Sequence, residues 1–257
     1  MVPSVSTQSP LLPPSFNEVV FISPTTDSFC HKGQVTSIHW DVADRLLSTG
    51  VDQSLKLWDP QTGAHMDTHF GHQGTVTDLK ILSFDPDTNQ MVESIAPVST
   101  GIDRTCRLWN LSLENHLCFK TSTPVISLDC LACFGKVGKA RLWVTGSQNG
   151  DVTLWSDQRK RPIFSINVLD DWVISIAVHK NIVVAGGWNK VVVMELNQNP
   201  FKLIEIQEET VRGCVNQILI EGNDVICLVG REHRSGRWKV ANLEQGFNGI
   251  HLFSIDN

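Results

Sequence analysis

Three groups of residues in this 257-residue chain are of types that do chemistry, and their spacing decides which kind. The first is Cys130-x-x-Cys133, an interval that suits half of a zinc site or a redox pair. No second pair or histidine cluster completes it. Both cysteines lie in the apolar run Val125 to Phe134, which reads as a strand, so they are expected to pack in a core. The second group is a set that occurs twice: His31, Thr49, Asp52 and Trp58, then His72, Thr100, Asp103 and Trp109. Hydroxyl, imidazole and carboxylate are the parts of a hydrolase triad. A catalytic site is normally single, however, whereas this set recurs, pairs with a tryptophan each time, and has no nucleophile elbow around its hydroxyls. Repetition signals architecture: indole, hydroxyl, imidazole and carboxylate satisfy one another where each alone would be costly to bury. The third group is basic: Arg159, Lys160 and Arg161 with Lys136 and Lys139 upstream, and Arg231, His233, Arg234 and Arg237 near the end.

These residues need elements to position them. With 41% hydrophobic and 19% charged residues, the chain can bury a full core without metals or disulfides. Its seven cysteines are odd in number and scattered, which suits a reducing compartment, and the triplet Asn110-Leu111-Ser112 is read as a chance sequon. The longest apolar stretch, around Ile182 to Trp188, is too short to span a bilayer, and no secretory signal is read in the first fifteen residues. A net charge of -6 excludes a protein that coats nucleic acid indiscriminately. Any RNA contact must be a local patch.

The positioning elements emerge from a repeat. Leu47-Ser48-Thr49-Gly50 leads to Leu55-Lys56-Leu57-Trp58, and Val98-Ser99-Thr100-Gly101 leads to Cys106-Arg107-Leu108-Trp109. A third copy follows at Gly146 with Trp155, and weaker ones at Gly186 with Val191 to Val193 and at Gly230. The glycines step by the 40 to 50 residues of a four-stranded propeller blade. Each unit shows alternating β-rich runs, with a more polar outer strand such as Ala64 to Phe70 or Leu203 to Glu208. The expected fold is all-β, a propeller of five recognisable four-stranded blades over residues 16–257, preceded by a disordered tail at 1–15. Phe16 to Ser23 is expected to supply one extra strand.

The Gly71-His72 dipeptide and the two His, Thr, Asp, Trp sets resemble the WD-repeat family, whose norm is seven blades. Two stretches resemble one subfamily more narrowly, the WD-repeat subunit of the U-three small nucleolar ribonucleoprotein. They are Lys160-Arg161-Pro162 and Val229-Gly230-Arg231-Glu232-His233-Arg234-Ser235-Gly236-Arg237-Trp238, with Asp171-Trp172-Val173-Ile174-Ser175 between them. Lys239 replaces a second tryptophan of the motif. The resemblance covers residues 30 to 257, the subfamily's last five blades; its two leading blades and basic N-terminal extension are not matched. It implies a non-enzymatic RNA- and protein-binding subunit acting in pre-rRNA processing, without cofactor, metal or small-molecule substrate. The implied partners are a small nucleolar RNA of the U-three type, box C/D core proteins and other small-subunit processome proteins. The implied location is the nucleolus. The alternative is a generic WD scaffold or a ubiquitin-ligase substrate receptor. Against the receptor, Trp58-Asp59-Pro60-Gln61, Trp109-Asn110-Leu111-Ser112 and Trp155-Ser156-Asp157-Gln158 lack the arginine of the W-D-x-R motif.

Because propeller loops alternate between faces, Lys136 and Lys139 should share a face with the Arg159, Lys160 and Arg161 loop. Arg104, Arg231, His233, Arg234 and Arg237 should project from the opposite one. Arginine's planar fork suits phosphates and base edges, and Trp172, Trp188 and Trp238 are candidates for stacking on unpaired bases. Trp238 is expected at the position the repeated tryptophans fill, whereas Trp143 and Trp188 are read as packing residues.

Overall fold

The computed structural model describes residues 29–40, 45–82, 96–121, 125–233 and 248–255. They form eighteen strands, and no helix occurs among them. No helix there is long and apolar enough to cross a membrane. The first sheet is an antiparallel meander of β1 (Val35–Trp40), β2 (Leu46–Gly50), β3 (Ser54–Trp58) and β4 (His65–Phe70). The second repeats it with β5 (Val76–Ile81), β6 (Pro97–Gly101), β7 (Thr105–Asn110) and β8 (Asn115–Lys120). The third uses β9 (Leu128–Val137), β10 (Ala140–Ser147), β11 (Asp151–Ser156) and β12 (Arg159–Asn167).

The last sheet has six strands: β13 (Ser175–His179), β14 (Ile182–Gly186), β15 (Trp188–Gln198), β16 (Phe201–Glu221), β17 (Asp224–Gly230) and β18 (Gly249–Ser254). Two blades are fused in it. The first half of β16 pairs with β15 as the outer strand of blade four, and from Cys214 onward it pairs with β17 as the inner strand of blade five. Gly213 at the junction has φ +132, and a Cβ there would sit 2.7 Å from the Gly230 carbonyl, so the strand can turn between blades only on glycine. The expected outer strand Leu203 to Glu208 lies inside β16, and blade five shows three strands among the described residues. Phe16 to Ser23 and the tail at 1–15 lie outside the described residues.

Sheet register explains the core. Along β2, β6, β10 and β14 every second side chain faces the following blade: Leu47, Val98, Val144 and Val184, all fully buried. Across the pair to the third strand they meet Leu57, Leu108, Leu154 and Val193. Each set packs on the next blade, giving four successive apolar clusters between blades rather than one central core. At roughly 1.5–3 kcal/mol per buried aliphatic side chain, these joints dominate the stability.

The inner strands are linked directly. Thr36 Oγ1 donates to the Val76 carbonyl at 2.5 Å, and Thr77 Oγ1 to that of Leu128 at 2.5 Å. Asp78 accepts from Ser37 Oγ on one side and from the Leu131 amide on the other. Inner strands of all five blades line one cavity of about 590 Å³.

Candidate nucleic-acid interface

In blade two, Trp109 Nε1 donates to Ser99 Oγ at 2.8 Å, and Ser99 Oγ lies 2.7 Å from His72 Nε2. Since the serine oxygen accepts the indole hydrogen, its own hydrogen goes to Nε2, which leaves the Nδ1 hydrogen for Asp103 at 3.0 Å. Asp103 also accepts the Gln73 and Thr105 amides and the Thr105 hydroxyl. Burial alone would raise its pKa, but these donors outweigh it and hold the carboxyl well below the usual carboxylate range. Blade one repeats the arrangement with Trp58, Ser48, His31 and Asp52.

The hydroxyl is therefore Ser48 or Ser99, not the expected Thr49 or Thr100. Strand alternation is the reason: Ser48 lies on the tryptophan's side of the sheet, and its neighbour points to the other. Thr49 and Thr100 meet the inner-strand hydroxyls of Thr36 and Thr77 instead. In blade two the hydroxyl and the imidazole are out of solvent's reach, because Ser99 and the His72 side chain are fully buried. The set is architectural.

Later blades shed it piece by piece. In blade three Trp155 Nε1 donates to Thr145 Oγ1 at 2.9 Å, and no histidine joins. By strand pairing Met194 takes the tryptophan position in blade four and Ala185 the hydroxyl position. In blade five strand pairing puts His251, in β18, at the corresponding register; Trp238 lies outside the described residues. Gly50 and Gly101 thus sit one residue beyond Gly146 in register. A Cβ at Gly101 would approach His72 Nδ1 to 2.8 Å, so the glycine stands where the imidazole needs room.

Cys130 and Cys133 are free thiols on opposite faces of β9, Cys130 in the cluster toward blade four and Cys133 against the one toward blade two. A three-residue offset in a strand separates them in this way, so they cannot share a metal or a disulfide. Burial pushes the Cys133 thiol up to about 12.

The cations fall on two faces. Inner-strand hairpins and outer-strand hairpins lie at one edge of each blade, and in blade three this edge carries Lys136, Lys139, Arg159, Lys160 and Arg161, all exposed. Arg159 to Arg161 open strand β12 rather than forming the loop expected from sequence. Gln158 Nε2 donates to the Lys139 carbonyl at 3.3 Å, tying the two hairpins together. Asp157, the nearest acid in sequence, is engaged below: it accepts from the Arg141 amide and Nε, each at 2.9 Å. Burial would raise its pKa, yet the Arg141 contacts prevail and lower it. This brace, which the sequence reading missed, leaves five exposed cations without an ion pair among the described residues. Lys180 occupies the matching hairpin of blade four with φ 53; its signal in sequence was its equivalence to the Lys136 to Lys139 turn.

The opposite edge holds Arg104, exposed in the β6 to β7 turn, and Arg231, just after β17. His233 is 8% exposed and stands edge-on to Trp172, ring centroids 5.7 Å apart. That contact braces the loop against the link between blades three and four, which occupies both rings with each other. The Asn248 side chain holds the Arg231 amide, and Asn216 holds the Glu232 carbonyl. Trp188 is half-buried at the start of β15, and Trp143 is fully buried, donating to Cys106 Sγ. Arg234 and Arg237 lie outside the described residues.

Comparison with known proteins agrees with this fold. The WD domain, G-beta repeat, matches residues 23–59 and 63–110. The chain is 27% identical over 244 residues to U3 snoRNP-associated protein-like EMB2271 of Arabidopsis thaliana, covering 86% of this chain and 48% of that protein. To Ribosomal RNA-processing protein 9 of Saccharomyces cerevisiae it is 21% identical over 313 residues, covering 92% of this chain and 52% of that protein. The chain thus spans about half the length of the curated relatives it matches. Among solved structures, the RRP9 WD40 repeats superpose with a TM-score of 0.74 at 23% identity, covering 88% of this chain and 69% of that one. The architecture is that of a WD40 propeller domain.

Proposed function

We propose that this WD-repeat chain is a non-enzymatic subunit of the U-three box C/D small nucleolar ribonucleoprotein, acting in pre-rRNA processing and small ribosomal subunit biogenesis. The observation that carries the reading is the blade-three patch: Lys136, Lys139, Arg159, Lys160 and Arg161 are exposed together while the adjacent acid is held by Arg141. A carboxylate so engaged does not compete for the cations, and a phosphodiester backbone is the ligand that five closely set cations attract. The likeness to U3 snoRNP-associated and rRNA-processing proteins supports the choice of RNA. Arg231 and Arg104 on the other face are assigned to partner proteins of the particle, with box C/D core proteins and other processome components as the candidates, and the location is nucleolar. The buried His, Ser, Asp, Trp sets serve the fold, which fits a scaffold.

Sequencing of RNA crosslinked to the protein tests this. One small nucleolar RNA should be enriched, and the triple change Arg159→Glu, Lys160→Glu, Arg161→Glu should reduce its recovery at least tenfold with circular dichroism unchanged. Equal recovery of all RNAs by both proteins, or a stoichiometric ubiquitin-ligase adaptor in their place, refutes it.

A further inference from the structure

Cations continue past the blade-three patch, and the places where they stop give them a direction. Blades three and four lie wholly within residues 125–233, described without a break, and each packs on a blade at both sides. The exposure of their hairpins therefore does not depend on either end of the chain. Within blade three the strand order β12-β11-β10-β9 sets the outer hairpin two strand spacings, about 10 Å, from the inner one. The Gln158 to Lys139 bond ties the two together. On the same edge of blade four, the turn from β13 to β14 carries Lys180, exposed. Glu195, paired with Ile182 beside that turn, is engaged: it accepts from Asn181 Nδ2 at 2.6 Å, as Asp157 accepts from Arg141 in blade three. Phe134, Gly135, His179 and Lys180 all line the cavity, so the inner ends of both blades border one opening.

The cations thus form one row, with Arg159 to Arg161 at the rim, Lys139 and Lys136 further in, and Lys180 at the opening. Acids bound it on both sides: Glu114 is exposed in the outer hairpin of blade two, and Glu221 and Asp224 flank the inner hairpin of blade five. We infer that this row is the track of a single RNA strand, which meets the rim of blade three and runs inward to Lys180. The inference deepens the patch reading proposed above and rests on it. A duplex holds its phosphates in two rows across a groove and needs cations spread over a broad surface, whereas a single strand needs one continuous row and leaves its bases free to stack. The row on this edge is single. At its inner end Phe134 stands half-buried in the cavity wall, and a base that passes Lys180 meets its ring. The other route, along the rim to blade four, crosses Asn197, Gln198 and Asn199 before it reaches Lys202, and none of the three carries charge.

Fluorescence anisotropy of the whole chain at low ionic strength tests the path, with a short labelled oligouridine and a blunt RNA duplex of the same length as probes. The oligouridine should bind about tenfold more tightly than the duplex. Lys180→Glu should weaken it about fivefold, and Lys180→Ala should lower the slope of log K against log salt by about 0.7, the share of one phosphate contact to a single strand. Lys180→Arg keeps the charge and should bind as the unmodified chain does. Lys202→Glu, equally exposed on the same blade, should stay within about twofold. Circular dichroism reports whether each variant folds. A duplex bound as well as the oligouridine, or neither probe bound, overturns the proposal. So does a Lys180→Glu chain that binds normally, an unchanged salt slope, or a Lys202→Glu chain weakened as much as Lys180→Glu, which would send the strand along the rim. The triple change at Arg159 to Arg161 separates the two proposals: if it leaves oligouridine binding intact, the patch reading itself fails, and if it weakens binding while Lys180→Glu does not, only the inward path fails.

Discussion

Blades two and four solve the same packing problem by different means. Blade two places a tryptophan, a serine, a histidine and an aspartate in one hydrogen-bonded chain and closes its flank with Arg107, which donates to His116 and lies 3.6 Å from Asp103. Blade four fills the corresponding positions with Met194, Ala185 and Val192, all fully buried and all apolar. Both keep the strand register, and both pack on a neighbour at each side. The polar version is directional and fixes which strand meets which. The apolar version depends on volume alone.

That difference is open to direct attack, and the largest effect is expected at the tryptophan. Trp109→Leu removes most of a buried ring and leaves Ser99 without its donor, which should cost on the order of 3 kcal/mol. Met194→Leu at the matching site keeps volume and asks for no hydrogen bond, so its cost should stay below about 1.5 kcal/mol. Urea denaturation midpoints of the two variants measure both. Similar losses would mean that the network adds nothing beyond bulk.

A hydroxyl exchange is the next step down. Ser99→Ala orphans the Trp109 N–H and the His72 acceptor and should destabilise by about 1–3 kcal/mol. The reverse change, Ala185→Ser, buries a hydroxyl among valines with no partner and should cost about as much. If the serine were harmless in blade four, the joint there would be looser than its full burial indicates.

The same contrast explains what could be read in the chain. A network needs particular residue types at fixed intervals, and so blades one and two were legible from His31, Asp52, Trp58 and their counterparts. Even there the hydroxyl was placed one residue late, because Ser48-Thr49 and Ser99-Thr100 offer two hydroxyls in a row and only the sheet's alternation decides between them. Blade four needs only apolar volume, which many sequences supply, and so it showed as a weak glycine beat. The β16 strand hid for a related reason: with glycine at 213 in place of a loop between blades, no polar turn punctuates Phe201 to Glu221. The cationic patch was legible as charges and as a shared face. The Arg141 to Asp157 brace that leaves those charges unpaired joins residues sixteen apart and carries no motif.

The smallest expected effect depends on pH. Burial lowers the pKa of His72 below its ordinary 6.5 despite the Asp103 carboxylate, so the folded chain holds the ring neutral to lower pH than the unfolded chain does. Below about 6.5 the unfolded state therefore binds a proton that the folded state does not, and stability falls, by no more than about 1.4 kcal/mol per pH unit for one ring. His116 is shifted the same way, by burial and then by Arg107, and adds to the slope. Asp103 loses its contribution only at far lower pH, as it is forced to protonate. Hydrogen exchange at pH 7 and pH 5.5 should show amides of β6 and β7 losing protection. Those of β14 and β15, beside Met194 and Ala185, should respond only as far as global unfolding requires. Equal losses in the two regions would show that the blades unfold as one unit before either histidine titrates, and the contrast between them would then describe how each is packed but not how each fails.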